Sequence, residues 1–322
     1  MTFSGRKFTI SVVIPTHNRA AILPRAVESV LAQKRRPDEI LVIDDGSTDN
    51  TADVLSAYRP AVTLIEKPRG GVSSARNVGV GQSKCDFIAF LDSDDFWHED
   101  HLLTMEEALR GTEGGAWLYF SDLRLSVARG GGTIWDRSGF AIDASYDLRR
   151  DGAEWLLLPR QPMMIPASVV QRDAYLAVGG SDERFVCRGD THLFFKLGLG
   201  GPICAVAGLA GEATSDEQDS LTQAFADSNQ TYLDCTVWLY ADVLERMDGR
   251  DPAQRRIVAR RLASGYWDLA RSAGGRAPLR SCRQLVRALR HDPSLLPVRL
   301  RNLSRRWARS IVAVSSADTS AE

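Results

Sequence analysis

The sequence predicts an α/β protein, a mostly parallel sheet of Rossmann-like type with helices on both faces, followed by an all-helical C-terminal region. Three observations carry this reading. Short β-branched apolar runs alternate with segments of helical spacing through residues 9–125. The runs are apolar at consecutive rather than alternate positions, as strands covered on both faces are. From about Ala226 onward only helical spacing remains.

The elements follow in order. TISVVI (Thr9–Ile14) is a buried strand stopped by Pro15, and Leu23, Val27, Val30 and Leu31 mark a helix with Pro24 in its first turn. EILVID (Glu39–Asp44) is the second strand, and Ser47, Thr48 and Asp49 cap a helix running through Tyr58. AVTLIE (Ala61–Glu66) is the third strand. Val72–Gln82 is helical despite Gly79 and Gly81, and DFIAFL (Asp86–Leu91) is the fourth strand. A helix over Glu99–Arg110 and the strand WLYFSDL (Trp117–Leu123) complete the first half. Arg124–Asp151, with Gly130-Gly131-Gly132, reads as a loop or irregular hairpin. Ala167–Val170 is strand-like and Asp190–Leu199 helical. Helices near Tyr232–Met247, Gln254–Ser272, Leu279–His291 and Val298–Val312 close the chain before a tail from Ser315.

Composition excludes several classes. The 322 residues carry a formal charge of −1, so no overall basic field grips nucleic acid. The five cysteines are scattered without a C-x-x-C, which fits reduced, mostly buried thiols in a cytoplasmic setting rather than a zinc knuckle or disulfide scaffold. No apolar run approaches the ~20 residues of a membrane span, and the N-terminus does not read as a signal peptide. G-x-G-x-x-G, the P-loop G-K-[ST], H-E-x-x-H and G-x-S-x-G are all absent.

In a parallel α/β sheet, ligands bind beyond the carboxyl ends of the strands. Those ends carry Pro15-Thr16-His17-Asn18, Asp44-Asp45-Gly46-Ser47 and Asp92-Ser93-Asp94-Asp95, so polar and acidic residues converge on one rim. Neighbouring carboxylates repel one another, and a divalent cation with oxygen ligands, Mg²⁺ or Mn²⁺, is the natural neutraliser. In an extended D-x-D, Asp92 and Asp94 point the same way and can serve one site. The plainer alternative is an acidic turn capping the next helix. Asp44-Asp45 divides in the same way between a helix-capping turn and a carboxylate that accepts from a base N–H. Either the N-terminal amides of a helix opened by Gly70-Gly71 meet a phosphate, or Arg76 on that helix pairs with the rim acids to hold the fold.

SVVIPTHNRAAILPRAVESVLAQ, EILVIDDGSTDNT, GGVSSARNVGV and DFIAFLDSDDFWHEDHL resemble, in order, the signatures of family 2 glycosyltransferases with the GT-A fold. The likeness is dense over about residues 9–125 and thins towards residue 222. It implies transfer of a sugar from a nucleotide-sugar, commonly UDP-linked, with inversion. It places Pro15, Thr16, His17 and Arg19 against the nucleoside and Asp45 at the base, with Asp44 behind it. Arg76 falls beside the nucleotide, Asp92 and Ser93 at the ribose, and Asp94 at the metal with Asp92 assisting. Asp190 matches the general base, although the family's usual Glu before it is Gly189 and the usual Phe of its Gly-Gly-Phe-Asp turn is Ser181. Where many members carry a basic residue or His near Ser-Leu-Ser, this chain has Asp216, Glu217 and Asp219.

The expected layout is a catalytic domain over 1–225 (nucleotide half about 9–125, acceptor half about 126–225), a helical region over 226–314 and a tail over 315–322. Implied partners are a nucleotide-sugar donor and a glycan or lipid-linked acceptor, as in bacterial polysaccharide or cell-envelope biosynthesis. The Arg-rich C-terminal helices suggest peripheral contact with a membrane's inner face, against the plainer reading of a Leu stripe packed inward with arginines outward. His192, one turn from Asp190, reads as a helix-surface histidine, Trp97 as a floor for the sugar site and Met163-Met164 as core. Rival readings are a nucleotidyltransferase, whose Gly-rich loop is missing after the first strand, and a nucleotide-sugar-binding relative without turnover.

Overall fold

The computed structural model describes residues 7–214, 229–273 and 278–293. The Val298–Val312 helix, the Gly274-Gly275 break, the 315–322 tail and the acidic stretch beyond Thr214 lie outside the described residues. The chain forms two compact units, one ending at Phe225 and the other beginning at Ala226.

The first unit is built on β1 (Ile10–Thr16), β2 (Glu39–Asp44), β3 (Thr63–Glu66) and β4 (Phe87–Phe90), separated by α1 (Leu23–Leu31), α2 (Thr51–Ser56) and α3 (Val72–Gln82). β1 is buried at all seven positions, which is why its sequence shows no polar alternation. α3 lies against β1 and β2, and Gly79 permits the approach, since a Cβ there would stand 2.4 Å from Val13 Cγ1. The glycine that weakens the helical pattern is thus needed for packing.

After β5 (Phe96–Trp97) and α4 (His101–Gly111) come β6 (Leu118–Leu125), α5 (Ile134–Ser138), β7 (Tyr146–Arg149) and α6 (Ala153–Leu156). β8 (Ser168–Gln171), α7 (Arg172–Ala177), α8 (Gly189–Gly200) and β9 (Ile203–Ala213) complete this unit. The strand order is β3-β2-β1-β4-β8-β6-β9-β5, with β7 also on β9. β3, β2, β1 and β4 pair in parallel, as do β6 and β9. β8 is antiparallel to both β4 and β6, and β5 and β7 are antiparallel to β9. Because β8 reverses direction between them, β6 and β9 end on the same rim as β1, β2 and β4. The segment read as loop, 124–151, contains a 3₁₀ turn at Val127–Arg129 as well as α5 and β7. β7 is short and has no buried residue, so it leaves little periodic signal.

In the second unit, α9 (Asn229–Arg246), α10 (Pro252–Ala273) and α11 (Pro278–His291) pack as successive neighbours. Cys235, Leu239 and Val243, spaced by four, are buried on α9, and Val258 and Leu262 on α10. On α11 Ala288 is buried, His291 stacks on Tyr266 and Arg287 lies 5.7 Å from the same ring. Among the described residues, no helix is long and apolar enough to cross a membrane.

Candidate active site

The rim begins where β1 and β2 end side by side, joined through Asp45 N–H to the Thr16 carbonyl at 2.9 Å. Asn18, in the left-handed region at φ 51°, accepts from the Thr48 amide and donates its own amide to the Ser47 hydroxyl, knitting the two loops. The buried Asp44 carboxylate accepts from the Ser47 amide and hydroxyl and so closes its own turn. Asp45, also buried, accepts from Lys67 at 2.5 Å and from the Gly70 and Gly71 amides at 2.8 and 2.7 Å. Gly46, at φ 75°, lets this loop touch the Arg69 backbone, which a Cβ would meet at 2.9 Å. Asp45 is therefore a bolt between the loops after β2 and β3. Lys67, which fastens it, had no motif to announce it. His17 is half-buried with Nδ1 3.0 Å from the Asp45 carbonyl. Pro15 and Thr16 are buried, and Thr16 Oγ1 has no hydrogen-bond partner among the described residues.

Beyond β4 the chain turns through Asp92-Ser93-Asp94-Asp95, closed by Asp95 N–H to the Asp92 carbonyl. Ser93 is buried. Thr214, just past β9, donates its amide to the buried Asp95 carboxylate at 2.9 Å and its hydroxyl to the Asp94 carbonyl. Arg25 donates to that same carbonyl at 2.7 Å. The main chain of the acidic turn is thus fixed from α1 and β9 while the Asp94 side chain remains available. Burial, reinforced by Asp92, raises the Asp94 carboxyl above the usual range, and the charges of Arg19 and Arg129 oppose the rise. Asp95 is pushed up further by burial and then by Asp92 and Asp94. The charge of Arg19, expected at the nucleoside, is thus felt at the acidic turn. Neither Arg25, inside the first signature, nor Thr214 or Arg129 is singled out as a site residue by the sequence.

Arg76 projects from α3 and is buried. One terminal nitrogen donates to Asp92 Oδ1 at 2.7 Å and the other to Asp190 Oδ1 at 2.6 Å. Pairing with the acids, one of the two readings open from the sequence, is what the structure shows. Asp190 stands in the first turn of α8, its side chain 42% exposed. Desolvation raises its carboxyl against the pull of Arg76, with Asp92 adding to the rise. The next residue on α3, Asn77, accepts from Tyr175 and the Ser181 amide and donates to the Ser181 carbonyl. Ser181, standing where a Phe was expected, accepts from the Tyr175 hydroxyl. α3 therefore ties the acidic rim to the segment that leads into α8.

Two expectations are corrected. His192 is buried rather than on the helix surface, stacked on Phe185 at 4.5 Å. Trp97 is core rather than a sugar floor, since its indole donates to the Pro166 carbonyl and its ring packs on His101.

Among the described residues, no three His, Cys, Asp or Glu side chains form a metal cage. Asp94 fits a divalent cation in another way. It is a hard-oxygen donor in a like-charged cluster, held on a fixed main chain, of the kind that binds Mg²⁺ or Mn²⁺ together with substrate phosphates.

A mixed sheet with an acidic rim, an opposing carboxylate at a helix start and a buried arginine joining them places the first unit in the class of nucleotide-sugar transferase folds. Residues 11–120 match the family described as Glycosyl transferase family 2. That match covers the segment that builds β1 to β4 and the acidic turn. Succinoglycan biosynthesis protein ExoW of Rhizobium meliloti is 42% identical over 107 residues, 31% of this chain and 34% of that one. The match thus spans about a third of that relative's length. Among solved structures, S. aureus TarS 1-349 in complex with UDP-GlcNAc is similar at a TM-score of 0.64 and 17% identity, over 87% of this chain and 79% of that one. The mannosyltransferase PcManGT from Pyrobaculum calidifontis in complex with GDP-Man and Mn²⁺ is similar at 0.58 and 17% identity, over 94% and 81%.

Proposed function

We propose that the chain is an inverting, metal-assisted glycosyltransferase that moves a sugar from a nucleotide-sugar to a hydroxyl of a glycan or lipid-linked acceptor. The observation that carries this is the single guanidinium of Arg76 gripping both Asp92, of the acidic turn, and Asp190, at the head of α8. It holds a donor-side and an acceptor-side carboxylate a fixed distance apart, as a one-step displacement requires. The UDP-GlcNAc bound by TarS and the succinoglycan role in ExoW's name support a UDP-sugar donor and a polysaccharide acceptor. The GDP-Man of PcManGT makes GDP-sugars the first competitor to test.

In the reaction, the acceptor oxygen attacks the anomeric carbon while the bond to the diphosphate oxygen breaks on the opposite face. Asp190 takes the hydroxyl proton. Its Oδ1 is held by Arg76, which leaves Oδ2 to act, and partial desolvation brings its basicity nearer to that of a working base. Asp94, with Asp92, would hold the Mn²⁺ or Mg²⁺, which when bound supplies Lewis-acid stabilisation to the leaving diphosphate. His17 and Arg19 line the nucleoside side.

Asp190→Asn tests the assignment. Transfer from UDP- or GDP-sugars is expected to fall ~10²–10⁴-fold while nucleoside diphosphate affinity stays within about twofold. Parallel loss of both would make Asp190 structural. Wild-type protein that binds nucleotide-sugars without releasing the diphosphate would make the chain a binding relative.

A further inference from the structure

Several cations along the acidic rim are engaged among the described residues. Arg76 is held by Asp92 and Asp190, Lys67 by Asp45, and Arg25 by the Asp94 carbonyl and the Thr214 hydroxyl. Arg19 also has an interaction of its own. The half-buried Arg129 differs, because among the described residues no carboxylate lies within ion-pair distance of it and no acceptor takes its guanidinium protons. Yet its charge is felt at both Asp94 and Asp95.

Its position is built, not loose. β6 and β9 run in parallel and end on the acidic rim, with Leu125 beside Ala213. The Ser126 amide donates to the Ala213 carbonyl at 3.0 Å, and the next residue, Thr214, is the one bonded to the Asp94 carbonyl and the Asp95 carboxylate. The 3₁₀ turn carrying Arg129 is closed by its own N–H to the Ser126 carbonyl at 2.9 Å. It is clamped by Arg137, which donates to the Arg129 and Gly131 carbonyls at 3.0 and 2.7 Å. A guanidinium this near carboxylates ordinarily closes a bidentate pair with one of them. Here, among the described residues, no acceptor takes its guanidinium protons, while Thr214 ties the neighbouring strand end to the acidic turn.

We propose that Arg129 is a catalytic residue that binds the donor's diphosphate and neutralises the charge it gains as the glycosidic bond breaks. This rests on the glycosyltransferase reading and adds to it the side chain that receives the leaving group. The electron pair of the broken bond stays on the diphosphate oxygen, and Arg129 keeps its protons and donates hydrogen bonds throughout. The 215–222 sequence offers no cation for this task, since its charged residues are Asp216, Glu217 and Asp219.

The test is calorimetric titration of the full chain, Arg129→Gln and Arg129→Lys with UDP, UMP, GDP and GMP in the presence of Mn²⁺, with thermal melts as a check on folding. For the base the protein prefers, Arg129→Gln is expected to lose at least tenfold in diphosphate affinity and less than twofold in monophosphate affinity. Arg129→Lys is expected to fall between Gln and wild type. Unchanged diphosphate affinity, or equal loss for diphosphate and monophosphate, overturns the proposal. So does an Arg129→Gln chain that fails to fold together with an Arg129→Lys chain that binds as wild type. Wild-type protein that binds neither diphosphate overturns the underlying glycosyltransferase reading as well, which separates the two failures.

Discussion

At the scale of single residues, His101 shows what burial does to a titrating group outside any chemistry. It heads α4, is buried against Trp97 at 4.7 Å, and its Nε2 has no hydrogen-bond partner among the described residues. Burial drives its pKa down to about 3, with His98 adding to the effect. An unfolded histidine titrates near 6.5, so below about pH 6.5 the unfolded chain binds a proton that the native chain refuses. Stability is therefore complete above about pH 6.5 and is lost as pH falls towards 3, at about 1.4 kcal/mol per unit. Between pH 7 and 5 the loss from this residue is about 2 kcal/mol. In His101→Phe, urea denaturation over that interval is expected to show a pH dependence smaller by that amount. An unaltered slope would mean that the ring is solvated and titrates normally.

At the scale of elements, the rim depends on loops fastened to one another. Buried Asp45 and half-buried Lys67 form a pair that joins the turns after β2 and β3, and the Gly70 and Gly71 amides complete the carboxylate's bonds. Removing one charge from such a pair strands the other, a loss of about 3 kcal/mol. Asp45→Asn is expected to lose that much in urea denaturation, and adding Lys67→Met to recover part of it. Equal or greater loss in the double variant would show that the pair is not buried in solution. The same elements show what a sequence reveals. β1, β2 and β4 were legible because parallel strands covered on both faces must be apolar throughout, and the rim because their ends share a direction. The reversal at β8 was not, since a four-residue strand encodes burial and not orientation. Nor were the ties from Thr214 to Asp95 and from Arg76 to Asp190, whose partners lie 119 and 114 positions apart and are joined only by the fold. Asp45 was visible as a rim acid, but its bonding to Lys67 was not, because spacing does not say which way a carboxylate turns.

At the scale of the molecule, ligand binding and stability are one equilibrium for the first unit. Asp92, Asp94 and Asp95 crowd one turn, and burial with mutual repulsion raises Asp94 and Asp95. Asp94 would hold a divalent cation only in the native state, which would relieve that repulsion and raise the melting temperature. At one hundred times its Kd, a ligand stabilises by about 2.7 kcal/mol, equivalent to roughly 5–10 °C for a unit of this size. Mn²⁺ with the preferred nucleoside diphosphate is expected to give that shift, and EDTA or Asp94→Asn to remove most of it. The shift has a pH sign as well. Protons compete with the cation for carboxylates that hold them more tightly than usual, so stabilisation should shrink as pH falls from 7.5 to 5.5. A shift that survives EDTA and Asp94→Asn unchanged would place the diphosphate away from the acidic turn and leave its crowded carboxylates without a role in binding.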